Sequence, residues 1–120
     1  MMLSLLFAIA APVPAPRPLM PEMMVGTWDY SWGSQLDGWI TFLDDGRYFS
    51  RHTTGTFPEY TGKWTLWRDT LTLHEGRFTE GEAPVCSTRY PVVISSNKYP
   101  TLTGKWEPQG TPVVLIRRKE

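Results

Sequence analysis

The stretch ITFLDDGRYFS, residues 40–50, decides the fold because alternating segments flank one tight turn. Asp44-Asp45-Gly46 suits a type I turn followed by a left-handed glycine, the usual three-residue hairpin connection. The turn fixes a register in which the facing pairs are Leu43 with Arg47, Phe42 with Tyr48, Ile40 with Ser50 and Gly38 with His52. Side chains alternate between the two faces of a strand, so Ile40, Phe42 and Tyr48 lie together on one side.

A second hairpin is predicted in YTGKWTLWRDTLTLHE, residues 60–75, where the chain turns at Arg68-Asp69. Its register pairs Leu66 with Leu71 and Trp64 with Leu73. The same parity rule gives it an apolar face made of Tyr60, Gly62, Trp64, Leu66, Leu71 and Leu73.

An internal repeat extends this pattern, because TGKWTLWRDTLTL from Thr61 aligns without gaps to TGKWEPQGTPVVL from Thr103. We therefore expect the same hairpin twice. In the second copy Trp106 and Leu115 take the places of Trp64 and Leu73, with the turn at Gly110-Thr111.

The remaining sequence alternates in the same way, and no window shows helical spacing over three turns. Eight strands are predicted, over residues 24–32, 38–43, 47–54, 60–67, 70–75, 88–95, 101–107 and 112–118. Residues 76–87 lack alternation and are predicted to form a wide loop. Eight short antiparallel strands can close on themselves and leave no unpaired edge. We predict an all-β domain, a small antiparallel eight-stranded barrel, with a β-sandwich or split barrel as the alternative.

Short motifs along the chain resemble those of the small bacterial lipocalin-like domains, relatives of the lipocalin and avidin (calycin-type) barrels. They are Val25-Gly26-Thr27-Trp28, Ile40-Thr41-Phe42, Asp45-Gly46, Gly62-Lys63-Trp64 and Thr70-Leu71-Thr72-Leu73. The resemblance covers residues 24–118. It implies a barrel in which Trp28 packs at a closed end against an arginine of the last strand, Arg117 or Arg118.

Length and charge exclude other classes of protein. The chain has 120 residues, with 12 basic and 12 acidic side chains and a formal net charge of zero, which suits one small domain. A nucleic-acid partner requires a basic stripe that displaces counterions, and no window is rich in lysine or arginine. We therefore expect no nucleic-acid partner.

The amino-terminal residues 1–11, MMLSLLFAIAA, have the length of a signal-peptide hydrophobic region and are too short for a transmembrane helix. We expect a signal peptide and hence a secreted, periplasmic or cell-envelope protein; an apolar first strand or an unstructured leader is the alternative. Residues 12–22 are predicted to be a proline-rich linker, and residues 23–120 the barrel domain. Cys86 is the single cysteine, so no intrachain disulfide forms. We expect it to be buried, although an intermolecular disulfide would suit an exposed position.

The barrel interior is either filled by its own side chains or holds a small ligand. Four indoles, those of Trp28, Trp32, Trp64 and Trp106, are predicted to lie inside. A pocket would take aromatic walls and a few polar groups from the inner parity of the strands, the usual composition of small-molecule sites. The candidate ligand-binding residues are Trp32, Tyr48, Ser50, His52 and Tyr60. The predicted ligand is a small apolar or aromatic molecule.

No cofactor, metal or catalytic group is predicted. His52 takes the inner parity and His74 the outer, whereas zinc needs three or four convergent ligands. No nucleophile elbow, phosphate loop or paired-carboxylate motif is present. The alternative function is a cell-envelope interaction or structural module with a self-filled core. Its partner would contact an outer aromatic surface formed by Trp39, Leu43, Phe49 and Trp67.

Overall fold

The structure is a computed structural model that describes residues 18–33, 36–53, 59–81 and 84–119. The helices and strands are α1 (Pro21–Met24), β1 (Gly26–Trp32), β2 (Leu36–Phe42), β3 (Arg47–His52), β4 (Tyr60–Trp67), β5 (Thr70–Phe78), β6 (Tyr90–Lys98), β7 (Thr101–Trp106) and β8 (Thr111–Arg117). Within these ranges no helix is long and apolar enough to cross a membrane. The predicted signal peptide and most of the predicted linker lie outside the described residues.

The eight strands form a closed antiparallel barrel in which each strand pairs with its neighbours in sequence. β8 pairs with β1 and completes the ring, with Trp28 opposite Arg117 and Tyr30 opposite Leu115. This confirms the predicted all-β barrel and rejects the sandwich and the split barrel. A closed ring leaves no sheet edge whose backbone groups lack partners.

The registers predicted for the first two hairpins are confirmed. Between β2 and β3, Phe42 lies opposite Tyr48 and Ile40 opposite Ser50. The turn glycine, Gly46, has a φ of 90°, in the left-handed region that favours glycine. Between β4 and β5, the pairs are Trp64 with Leu73 and Leu66 with Leu71.

The repeated hairpin does not repeat its register, and that prediction is wrong. Trp106 lies opposite Thr111, and Leu115 lies opposite Leu102. Residues 107–110 form the turn, whereas the first copy turns over two residues. Pro108 stands where the first copy has Leu66, and proline lacks the backbone N–H that a continuing strand would donate. β7 therefore ends before the position at which β4 continues.

The predicted wide loop begins later than expected, because β5 continues through Gly76 to Phe78. The β4–β5 register shifts between Thr61 and Lys63, and Glu75 has a φ of 53°. A β-bulge of this kind inserts an extra residue and resets the alternation of side chains. The sequence pattern consequently loses its period within a continuous strand. The first strand also starts two residues later than predicted, because Met24 belongs to α1.

One end of the barrel, here called the closed end, is sealed by α1 and its surroundings. Met24 is fully buried, and its carbonyl accepts a 2.8 Å hydrogen bond from Nε1 of Trp28. Arg117 donates to the Val25 carbonyl and lies over the Trp28 ring, 6.0 Å from its centroid. Arg117, rather than Arg118, thus makes the contact that the lipocalin-like resemblance implies. Arg118 pairs instead with Asp29 at the surface, at 2.5 Å.

The core is continuous from the closed end into the barrel. Its buried apolar side chains are those of Met24, Trp28, Ile40, Phe42, Tyr48, Trp64, Leu71, Val92, Ile94, Leu102, Val113 and Leu115. Phe42 and Trp64 pack edge to face with centroids 5.3 Å apart, and Trp64 donates to the Leu43 carbonyl at 3.0 Å. Two of the four predicted interior indoles, Trp28 and Trp64, therefore belong to the closed half of the barrel.

Candidate functional site

A cavity of about 410 Å³ occupies the other half of the barrel. The last residues of β1, β3, β5 and β7 line it; they are Trp32, His52, Phe78 and Trp106. These four strands all end away from α1, so the cavity reaches the end of the barrel opposite the closed end, here called the open end. Its floor includes Phe42 and Leu71, which are buried.

All five residues predicted from the sequence line this cavity. β3 carries three of them, Tyr48, Ser50 and His52, at alternate positions and therefore on one face. Trp32 ends β1, and Tyr60 begins β4 directly opposite Ser50. The structure thus brings the predicted set together, while their binding of a ligand stays a prediction.

Three tyrosine rings lie against the wall of the barrel, each over an inward-facing glycine of the next strand. The pairs are Tyr30 over Gly38, Tyr48 over Gly62 and Tyr60 over Gly76. A Cβ added at any of these glycines would lie under 3.0 Å from atoms of the ring. Each ring therefore occupies space that a side chain would otherwise fill, and the middle of the barrel stays open.

Tyr30 and His52 form a polar pair inside the cavity. The Tyr30 hydroxyl lies 2.5 Å from Nδ1 of His52, and the two rings meet edge to face with centroids 6.0 Å apart. Burial, with a smaller effect of the Asp37 carboxylate, raises the pKa of Tyr30 to about 12. The phenol is therefore neutral at physiological pH.

Tyr48 is the most buried polar group of the cavity, with 3% of its surface exposed. Burial is the main cause that raises the pKa of this phenol well above its usual value; the nearby Tyr60 and Tyr90 add smaller contributions. Among the described residues, neither the Tyr48 hydroxyl nor that of Ser50 has a hydrogen-bond partner. Both are neutral donors on the cavity wall.

Apolar side chains line two further parts of the cavity wall. β5 contributes Leu71 and Leu73, and β8 contributes Val113 and Leu115. At the open end, Trp106 packs against two aromatic neighbours, with centroid distances of 5.5 Å to Trp32 and 5.6 Å to Tyr90. Trp32 and Trp106 are thus half-buried at the rim rather than in the core.

Cys86 is half-buried beside the open end, so the expectation of a buried thiol is wrong. Its backbone N–H donates to the Gly76 carbonyl at 2.7 Å, which holds the segment against β5. A hydrogen bond with Thr88 is the main cause that lowers the pKa of the thiol, and Tyr90 and Tyr60 contribute less. The segment around Cys86 lacks an apolar pattern that would have placed it in the core.

The two histidines face opposite ways, as predicted. His52 lines the cavity, whereas His74 lies 3.2 Å from the Glu75 carboxylate. Within the described ranges, no three histidine, cysteine, aspartate or glutamate side chains are grouped so that they could hold a metal ion.

The predicted outer aromatic surface is only partly exposed. Trp39, Leu43 and Phe49 are half-buried, and the Arg47 guanidinium lies 5.8 Å from the centre of the Phe49 ring. Trp67 is 71% exposed, with the Arg68 guanidinium 5.3 Å from its ring centre.

The sequence prediction omitted several lining residues. Leu71, Leu73 and Trp106 lie on the inner face that the sequence predicts for them, although the candidate set does not include them. Tyr30 lies between Trp28 and Trp32 on the same face of β1. Parity alone would have found them, as it would have found Tyr90, Val92, Val113 and Leu115 on β6 and β8. Phe78 carried no such signal, because the bulge before it breaks the alternation.

A comparison with models of known protein families finds no match, and a comparison with curated proteins finds no similar sequence.

Proposed function

We propose that the domain binds a small apolar or aromatic molecule inside its barrel. One observation carries this proposal: the cavity of about 410 Å³ at the open end. Ligand pockets typically measure about 300–1,000 Å³, and they combine apolar walls with a few convergent polar groups. The Tyr48, Ser50 and His52 side chains on β3 facing an aliphatic wall on β8 have this composition.

Open space between two layers of aromatic rings also favours a ligand-binding barrel over a barrel that is filled by its own side chains. Trp28 and Trp64 pack at the closed end, and Trp32 and Trp106 lie at the rim. Protein interiors are normally packed to the density of organic crystals, so this open space distinguishes the barrel from one that its own side chains fill.

The alternative interaction module has one supporting observation, the exposed Trp67 indole. An aromatic group that stands alone on a surface is ordinary, whereas a contiguous apolar patch would indicate a partner. Trp39 and Phe49 are half-buried, and an arginine covers the Phe49 ring. The apolar area that a partner could contact is therefore smaller than a contiguous patch of these residues would be. We therefore rank this function second.

We further propose that the domain is lipocalin-like and exported. The closed antiparallel barrel and the contact between Trp28 and Arg117 support the first proposal, and the apolar residues 1–11 support the second. Expression with the native amino terminus in a bacterial host, followed by amino-terminal sequencing of the periplasmic protein, tests export. Protein that stays in the cytoplasm with residues 1–11 attached would contradict it.

Titration with N-phenyl-1-naphthylamine, a neutral aromatic dye that fluoresces in apolar surroundings, tests ligand binding. We expect saturable binding of one dye per barrel. Leu73→Trp places an indole in the cavity and should weaken binding by about tenfold or more. Ile116→Trp adds the same side chain at a position that is 48% exposed, and should leave binding unchanged.

Thermal unfolding of both variants checks that each is folded at the titration temperature. The proposal is overturned if the dye does not bind, or if the two variants bind it as tightly as the unsubstituted protein. In the second case the dye would occupy a site outside the barrel.

A further inference from the structure

The two sides of the cavity differ in chemistry. In the closed strand order, β7 and β8 lie across the barrel from β3 and β4. β3 presents the hydroxyls of Tyr48 and Ser50, whereas β8 presents Val113 and Leu115. A molecule between them would meet hydrogen-bonding groups along one edge and hydrocarbon along the other.

The Tyr48 hydroxyl is the most informative group on the polar side. Only 3% of the Tyr48 surface is exposed, and its hydroxyl faces the cavity without a hydrogen-bond partner in the described part of the chain. Such a hydroxyl can bond to water or to a ligand in the cavity. Ser50 lies two residues further along β3 on the same face, within roughly 7 Å. The pair could therefore contact one oxygen or two neighbouring oxygens.

The charges of the side chains that line the cavity narrow the class of ligand further. Among the described lining residues, Arg51 is the one side chain from the lysine, arginine, aspartate and glutamate set, and it is exposed. Burial keeps the Tyr48 and Tyr30 phenols neutral. A carboxylate carried to the depth of Tyr48 would thus lose its hydration without gaining a buried cationic partner.

We propose that the cavity selects a neutral, flat aromatic molecule that carries a hydroxyl or carbonyl oxygen on one edge. The oxygen meets the hydroxyls of Tyr48 and Ser50, and the ring packs against Leu115 and its apolar neighbours. This inference rests on the proposed function and adds the class of ligand to it. It separates phenols and aromatic carbonyl compounds from plain hydrocarbons and from carboxylic acids.

Isothermal titration calorimetry at neutral pH with three probes of one shape, naphthalene, naphthol and naphthoate, tests the inference. We expect naphthol to bind about three- to tenfold more tightly than naphthalene, because one hydrogen bond is added. Naphthoate should bind more weakly than naphthol. Tyr48→Phe should reduce the advantage of naphthol over naphthalene to about twofold or less.

Tyr99→Phe is the matched control, because Tyr99 is 49% exposed at the closed end. It should keep the full preference for naphthol. Three results would each overturn the ligand class while leaving the proposed function intact. They are equal binding of naphthol and naphthalene, tighter binding of naphthoate than of naphthol, and a Tyr48→Phe variant that keeps the full preference for naphthol over naphthalene. Failure of all three probes to bind would contradict both.

Discussion

Gly62→Ala is the substitution that most strictly tests how the barrel keeps its cavity open. A Cβ at this position would lie 2.6 Å and 2.9 Å from two atoms of the Tyr48 ring and 2.8 Å from the His74 carbonyl oxygen. All three distances are shorter than an ordinary van der Waals contact. The ring must turn away from the wall, and the backbone of β5 must also move.

The loss of stability caused by Gly62→Ala follows from these contacts. Overpacking a tight interior typically costs about 1–3 kcal/mol, and for a domain of this size each kcal/mol lowers Tm by about 4–8 °C. We therefore expect Gly62→Ala to lower Tm by about 5–20 °C. Thr65→Ala, at an exposed position on the same strand, should change the free energy of unfolding by at most about 0.5 kcal/mol.

A double-mutant cycle with Tyr48→Ala separates the ring from the carbonyl. Without the ring, the penalty of Gly62→Ala should fall but not vanish, because the His74 carbonyl remains. Urea unfolding of the four proteins measures the coupling. If Gly62→Ala is as stable as Thr65→Ala, the tyrosine does not lie over this glycine, and the explanation of the open interior is wrong.

Three further predictions concern the closed end, the phenols and the thiol. Arg117→Met should destabilise the domain by about 1–3 kcal/mol in urea unfolding, because it removes a charge-assisted hydrogen bond to a backbone carbonyl. Arg118→Met breaks a surface ion pair and should cost less than about 1 kcal/mol; equal losses would refute the special role of Arg117. The phenol of Tyr30 ionises near 10.0 in the unfolded chain and at about 12 in the folded domain, so its contribution to stability should be constant below pH 10 and be lost between pH 10 and 12. The pKa of Tyr48 is also raised, so Tyr30→Phe should show a smaller decline than the unsubstituted protein when unfolding is measured across that range; an unchanged decline would contradict the assignment. Cys86 should react with a disulfide reagent in the native protein, and a reaction that requires denaturant would place the thiol in the core.

Hairpin chemistry explains why much of the fold was predictable. Asp44-Asp45-Gly46 allows one favoured turn, and that turn determines the register of Phe42 and Tyr48 and hence the side that faces the core. The five candidate binding residues followed from the same parity. In this hairpin the preferred turn and the hydrophobic pattern predict the same register, so local preference and tertiary structure do not conflict.

The failures have equally local causes. β7 ends early because of Pro108, although the surrounding sequence repeats that of the β4–β5 hairpin. The positive φ falls on Glu75 and not on a glycine, so the residue type at that position does not predict the irregularity. The tyrosine rings over Gly38 and Gly62 depend on the register between neighbouring strands. Alternation within a strand gives the face of each residue but not the direction in which its ring turns.

A crystal structure of the domain soaked with a bromonaphthol would test the central claim most directly, because anomalous scattering locates the bromine. An open space inside a closed barrel predicts a bromine peak between β3 and β8, with the phenol oxygen within hydrogen-bonding distance of Tyr48. A peak confined to the outer surface near Trp67, or side chains that fill the space between Tyr48 and Leu115, would contradict it.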